Sequence, residues 1–429
     1  MSTNNQGPAG PFLTLVASNI EPKGEGFMSQ QRNSREKLNR IIEENQHLSI
    51  EYIEQLATPI LDDLTSWVNR KFYNPLNGEL NYEITLDERV NATATTNVLD
   101  PMHPVIKITL GMLREIYRDA FVFPLVSDII SESTTTVKTL NEQFQNLYFT
   151  FDSGVPPIHT NQQTKLFNLV KTAYDERRHE KLTDDMLGAR FMMFELMVVW
   201  LYFHELGHLL QRHFLLKIIQ PGDSIVSVSE IQEAVDFHSK TTDENYFLKS
   251  QAREILADLE GVDLTVSYML KNKLFHMPGI YLLMCAQEIM FHRFFQSYPE
   301  NFEIPEINHP NPVVRGEYVQ GYLTNLVLDT LVKNGLISER KDAAYPITYL
   351  SIRASSMAGL FWANRYEEFD GGELPTFMRL ASKENHEPKM QYVHTMRYWI
   401  DYQLEEIKSN HLCSPNFIEY FEGLRLYKK

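Results

Sequence analysis

The stretch 191–216 constrains this chain more than any other. From 191 to 203 it is apolar except for Glu195, and it leads without a break into His204-Glu205-Leu206-Gly207-His208. Other than Glu205, no charged residue lies between Trp200 and Leu210. The apolar run is too short for a membrane span and predicts a buried helix instead. On a helix, residues four apart share a face, so His204 and His208 can point at one metal ion. Glu205 projects beside that ion, where a carboxylate can take a proton from a bound water. An apolar surround excludes water and strengthens the electrostatics of such a site. Gly207 is a poor helix former, so something is expected to approach its backbone closely, either substrate or a neighbouring helix.

Two imidazoles leave a catalytic metal short of a third protein ligand. Downstream lies Gln251-Ala252-Arg253-Glu254-Ile255-Leu256-Ala257-Asp258-Leu259-Glu260-Gly261. Ile255, Leu259 and Val262, flanked by Ala252 and Leu256, give it helical periodicity. Glu254 and Asp258 then share a face. Glu254 can be the third ligand, and Asp258 can accept the ring N–H of a ligating histidine and fix its tautomer. Glu260 and Asp263 are expected on a solvated face.

The pair of motifs, H-E-x-x-H and Glu254-Ile255-Leu256-Ala257-Asp258, resembles the two signature elements of the gluzincin zinc metallopeptidases, H-E-x-x-H and E-x-x-A-D. Two further islands are similar to the branch of that family that holds CAAX-type and heat-shock proteases. Asn91-Ala92-Thr93-Ala94 is followed by the apolar run 105–110 and then by Gly111-Met112-Leu113. The resemblance implies a strand at Asn91, Ala92, Thr93 and Ala94 whose edge holds substrate backbone, as an open strand edge can hold an extended peptide. His309-Pro310-Asn311-Pro312-Val313-Val314-Arg315 is similar to a His-Pro segment followed by Arg. It implies that Arg315 buttresses Asp258 or Glu254 or binds an oxyanion, and that His309 binds the oxyanion or orients its loop. His276 and Tyr268 are further donors to consider for the oxyanion. The resemblance covers 81–318 in four short islands. Soluble relatives of CAAX-type proteases and the phage-exclusion Lit-type peptidases carry this style of site, which implies intracellular proteolysis of a protein target.

With 429 residues, 43% of them hydrophobic, the chain can bury a sizeable core. A net charge of −16 disfavours nucleic acid, whose phosphates need clustered Lys and Arg. Only Cys285 and Cys413 are present, which excludes a disulfide framework and suits a reducing compartment. No secretory signal or membrane span is read, so the expected location is cytoplasmic.

The expected fold class is α+β, mainly helical: a zincin-like catalytic core with a small mixed sheet and additional helices. Residues 1–33 are expected to form a flexible polar tail, 34–320 the zincin-like metallopeptidase domain, and 321–429 a helical C-terminal region packed on the core. Strands are expected at 82–86, 90–96, 105–110 and 148–151, with a turn at Asn77-Gly78. Helices are expected at 34–71, at 113–122, from Thr183-Asp184-Asp185 through His208 toward Leu216, and at 318–332, 349–366 and 391–407. Residues 224–249 form a polar insertion between the two metal helices, a surface excursion or a lid.

These residues point to a zinc-dependent metalloendopeptidase acting on a protein or peptide, with one Zn2+ per chain on His204, His208 and Glu254 and with Glu205 as the base. Two other functions fit the sequence. One is a metal-bearing regulatory or toxin-like protein that acts on itself or on one partner. The other is a non-catalytic helical interaction protein, against which the intact Glu205 argues.

Overall fold

A computed structural model describes residues 50–97, 99–132, 184–216, 225–227, 245–295, 301–365 and 383–426. The expected tail, the helix start at Thr183, the strand at 148–151 and most of the 224–249 insertion lie outside these residues. The described chain is mainly helical with one small mixed sheet, the coarse class that the sequence predicts.

The apolar helix is α3 (Asp184–Leu210), which follows α1 (Ile50–Val68) and α2 (Leu110–Glu132). It packs against α1 and α2, against α4 (Tyr246–Lys271) and α5 (Met277–Phe295), and against strand β2 (Ala92–Asn97). Every residue from Leu196 to Leu210 is buried, because a helix with no polar face needs neighbours on all sides. The remaining helices are α6 (Pro312–Lys333), α7 (Lys341–Arg365), α8 (His386–Asn410) and α9 (Phe417–Leu426). One continuous hydrophobic core runs from Ile53 to Phe421. The division expected at residue 320 falls inside α6.

The sheet has the order β1 (Asn81–Thr85), β3 (Asp100–Thr109), β2, β4 (Ile225–Ser227). β1 runs parallel to β3, while β2 is antiparallel to both β3 and β4. Asn77 takes the left-handed φ of 58° that the expected turn requires. Strand β4 was not foreseen. It comes from the insertion between α3 and α4 and pairs with Thr95, Thr96 and Asn97. The outer edge of β2, expected to be open for substrate, is therefore covered by the chain itself beside Thr95–Asn97, whereas β4 does not reach Asn91–Ala94. Among the described residues, no helix is long and apolar enough to cross a membrane.

Gly207 is explained by a helix crossing. A Cβ at this position would lie 2.8 Å from the backbone oxygen of Ala257 on α4. Four residues beyond Ala257, a Cβ at Gly261 would lie 3.2 Å from the backbone nitrogen of His204. Of the two neighbours anticipated at Gly207, the structure supplies the helix. Placing α3 and α4 this close brings Glu254 and Asp258 within reach of the histidines. Ala in place of Gly inside a helix ordinarily gains about 0.5–1 kcal/mol, but overpacking at Gly207 costs about 1–3 kcal/mol. Gly207→Ala should therefore lower the urea midpoint. Gly423→Ala on α9, where a Cβ meets nothing within 4 Å, should leave the midpoint unchanged or raise it.

Candidate metal centre

Three parts of the chain supply the converging side chains: α3 with His204, Glu205 and His208; α4 with Glu254 and Asp258; and the N-terminal end of α6, with His309 in the loop before it and Arg315 in its first turn. All seven are buried, and all but His309 are 0% exposed. The Nε2 atoms of His204 and His208 face each other at 3.3 Å. Glu254 Oε2 lies 3.4 Å from His204 Nε2, and Glu254 Oε1 lies 3.2 Å from His208 Nε2. These three residues form a group whose donor atoms could hold one metal ion.

The far nitrogens of the two rings are engaged elsewhere. Asp258 Oδ1 sits 2.8 Å from His204 Nδ1, although the pair falls short of a well-formed hydrogen bond. His208 Nδ1 faces His213 Nδ1 at 2.8 Å. If each Nδ1 carries the ring proton, both Nε2 atoms present lone pairs to the same point, together with a Glu254 Oε1 that has no hydrogen-bond partner among the described residues. Buried acceptors that face one another favour a proton or a metal cation between them.

The electrostatics of this cluster favour added positive charge. Burial works to raise the pKa of Glu254, but the surrounding His309, His208 and His204 more than reverse it and hold the group well below the usual carboxylate range. Burial likewise works against a charged His204, yet Asp258 and Glu254 raise its pKa to about 9. Glu205 goes the other way. Desolvation pushes its pKa up to about 7, opposed by His204, by the Ala94 amide and by Arg315. Neither Glu205 oxygen makes a well-formed hydrogen bond among the described residues. A buried carboxylate poised near neutrality is suited to accept and return a proton.

Arg315 sits in the first turn of α6. Asn311 caps that turn by accepting from Val313 N at 3.0 Å, and Pro312 opens it. The guanidinium donates to both oxygens of Asp258, at 2.5 and 2.7 Å, and lies 3.4 Å from Glu254 Oε2. It stacks over Phe291 and Phe294, 5.0 and 5.2 Å from the ring centroids. His309 Nδ1 lies 2.9 Å from Glu254 Oε2, and its ring stacks on Phe294 at 5.5 Å. The structure thus brings Arg315 and His309 to the carboxylates of α4. Of the strand residues, Ala92, Thr93 and Ala94 are buried on β2, and Ala94 reaches Glu205. Asn91 is held by its backbone to Thr109, and its Oδ1 is buried without a partner among the described residues.

Other expectations need correction. Tyr268 lies fourteen residues beyond Glu254, roughly 20 Å along the same helix, and donates to Glu195 at 2.7 Å. His276 accepts from Gly279 N at 3.1 Å and so caps α5. Tyr268 is thus engaged away from Glu254, and His276 serves as a helix cap. Glu260 and Asp263 are buried rather than solvated, because the C-terminal helices cover their side of α4. Asp263 accepts from Tyr322 at 2.7 Å.

Glu260 belongs to a second cluster, with His411 and Cys413, whose ligand atoms also converge. There, His411 Nδ1 accepts from the Cys413 amide at 2.9 Å, so Nε2 carries the proton and donates to Glu260 at 3.0 Å. That tautomer leaves no lone pair for a metal at Nε2, and the cluster is a hydrogen-bonded strut.

Several supporting residues carry no sequence signal. Trp200 stacks on His204 at 5.4 Å. Gln251, one turn before Glu254, donates to the carbonyls of Pro305 and Ile307 at 2.9 Å and so pins the loop that leads to His309. Tyr392 of α8 donates to Gln251 Oε1 at 2.5 Å.

Removing the guanidinium would leave Asp258 buried without its partner, a change that costs about 3–5 kcal/mol. Arg315→Met should therefore lower stability in urea by several kcal/mol, well beyond a loss of packing alone. Compared with known proteins, the chain matches no family model, and no curated protein or solved structure is significantly similar to it.

Proposed function

We propose that this chain is a zinc-dependent metalloendopeptidase of gluzincin type, with a zincin-like core, that hydrolyses peptide bonds of an intracellular protein target. The observation that carries this reading is the convergence of His204 Nε2, His208 Nε2 and the unpartnered Glu254 Oε1 on one point, beside the buried Glu205. Two imidazoles and one carboxylate are a donor set suited to zinc, and three protein ligands leave a position open for chemistry. Such an ion supplies a Lewis acid that polarises a carbonyl and acidifies a water.

The residues around it then have distinct tasks. Glu205 takes the proton from the attacking water and returns it to the leaving amine. Asp258 orients His204, and Arg315 holds Asp258 in place. His309 steadies Glu254 from the side away from His208. Ala94 of β2 reaches Glu205, and the segment Asn91–Ala94 would align a peptide beside it.

Complete burial of His204, Glu205, His208 and Glu254 favours a second reading, a metal-bearing protein that acts on itself or on one partner. A peptidase of broad range needs an open cleft. Cleavage of one protein target without turnover of generic peptides would select this second reading.

Wild-type protein purified without added metal should carry about one zinc per chain, and Glu254→Ala should lose most of it. Glu205→Gln should keep the zinc and lose turnover, because it removes the base and leaves the ligands. Wild type that takes up no zinc when supplied with it, or a Glu205→Gln enzyme as fast as wild type, would overturn the assignment.

A further inference from the structure

We propose that His213 is the positioning residue for His208, fixing the tautomer and ring angle of that ligand. The proposal rests on the metal site described above. His208 Nδ1 and His213 Nδ1 are 2.8 Å apart, with ring centroids at 4.9 Å and planes at 75°. Both rings are 0% exposed. One nitrogen must donate and the other accept. His208 Nε2 points at Glu254 and His204, so a metal bound there takes the Nε2 lone pair and leaves the proton on Nδ1. His213 must then accept at Nδ1 and carry its own proton on Nε2.

The backbone is shaped for this contact. On a continued helix, a residue five beyond His208 points roughly 140° away from it. Instead α3 stops at Leu210, and Arg212 takes a left-handed φ of 53°. That conformation is disfavoured for a residue with a Cβ. It opens a short 3-10 turn, His213–Leu216, and carries the His213 ring back beneath His208. The turn is braced on several sides. Gln211 N and Arg212 N donate to Gly207 O and Leu209 O at 3.0 and 3.1 Å. Gln211 Nε2 donates to Leu256 O on α4 at 2.8 Å, and Leu412 N donates to Leu210 O at 2.9 Å.

The two histidine ligands are therefore supported differently. His204 has a carboxylate clamped by a guanidinium, and His208 has a neutral imidazole. A second imidazole orients the ligand without adding another negative charge to a site already rich in carboxylates.

Three proteins test this: wild type, His213→Phe and His213→Asn. Phe keeps the ring volume and removes the acceptor, while the Asn Oδ1 can occupy the position of His Nδ1. Zinc affinity is read by competition with a chromophoric chelator, alongside the visible spectrum of the cobalt-substituted protein and the melting of the metal-free protein. His213→Phe should bind zinc on the order of 10–100-fold more weakly and change the cobalt spectrum. His213→Asn should recover most of the affinity and the spectrum. Independently, long-range nitrogen–proton correlation spectra of the zinc-loaded wild type, with labelled imidazoles, should place the His213 proton on Nε2.

Equal affinity in wild type and His213→Phe overturns the proposal, as does a His213 proton found on Nδ1. An Asn variant as weak as the Phe variant, with its metal-free fold intact, overturns it too. These outcomes leave the metal site standing. Wild type that binds no zinc removes the metal site and this proposal with it. Should His213→Phe fail to fold, the Asn variant and the tautomer spectra still decide.

Discussion

The close crossing of α3 and α4 is the constraint on which the site depends. Two helix axes approach this tightly only where a side chain is missing at the contact, and the chain provides Gly207 on one helix and Gly261 on the other. Between them stand His204 on α3 and Ala257 on α4, each touching the opposite glycine through backbone atoms. The crossing fixes the height of Glu254 and Asp258 relative to the two histidines. A larger residue at either glycine would separate the helices and lift Glu254 away from His204 and His208. A glycine that weakens helix propensity in isolation is therefore part of how this side-chain cluster is assembled.

From that crossing outward, each polar group is held by another. Arg315 clamps Asp258, Asp258 faces His204, His309 faces Glu254, and His213 faces His208. Aromatic rings fill the gaps: Trp200 and Phe294 lie against His204, and Phe291 and Phe294 against the guanidinium. Rings in these positions exclude water, which lowers the local dielectric and strengthens every charge interaction within the shell. The C-terminal third takes part at one remove. Tyr392 holds Gln251, Gln251 holds the loop before His309, and the Leu412 amide caps α3.

The sequence carried this centre unevenly, for physical reasons. His204, His208, Glu254 and Asp258 were legible because helical spacing converts directly into a shared face, and the structure brings all four together. The central helix was legible because it is apolar on all sides. His213 was not, since periodicity continues a helix through Leu216 and only the left-handed Arg212 turns the chain back. Tyr268 was misplaced because residue type does not report distance. Glu260 and Asp263 were expected in solvent because a local pattern cannot register that α8 and α9 cover them. Strand β4 was missed because three residues hold no alternation to detect.

Charge balance connects the buried residues to the proposed chemistry. Glu205, Glu254 and Asp258 are all fully buried, and Arg315 is the one permanent cation described among them. Three ionised carboxylates against one guanidinium leave a deficit of two positive charges in a region that water does not reach. Unpaired buried charge is costly enough that proteins neutralise it by protonation or by pairing. The raised pKa of His204 is a response to this deficit, through Asp258 and Glu254, whereas that of Glu205 comes first from burial, with Glu254 adding to it. A single divalent cation at the point where the two Nε2 atoms and Glu254 Oε1 converge would balance the set without any proton. It would also oppose protonation of Glu205, because positive charge beside a buried carboxylate favours its ionised form.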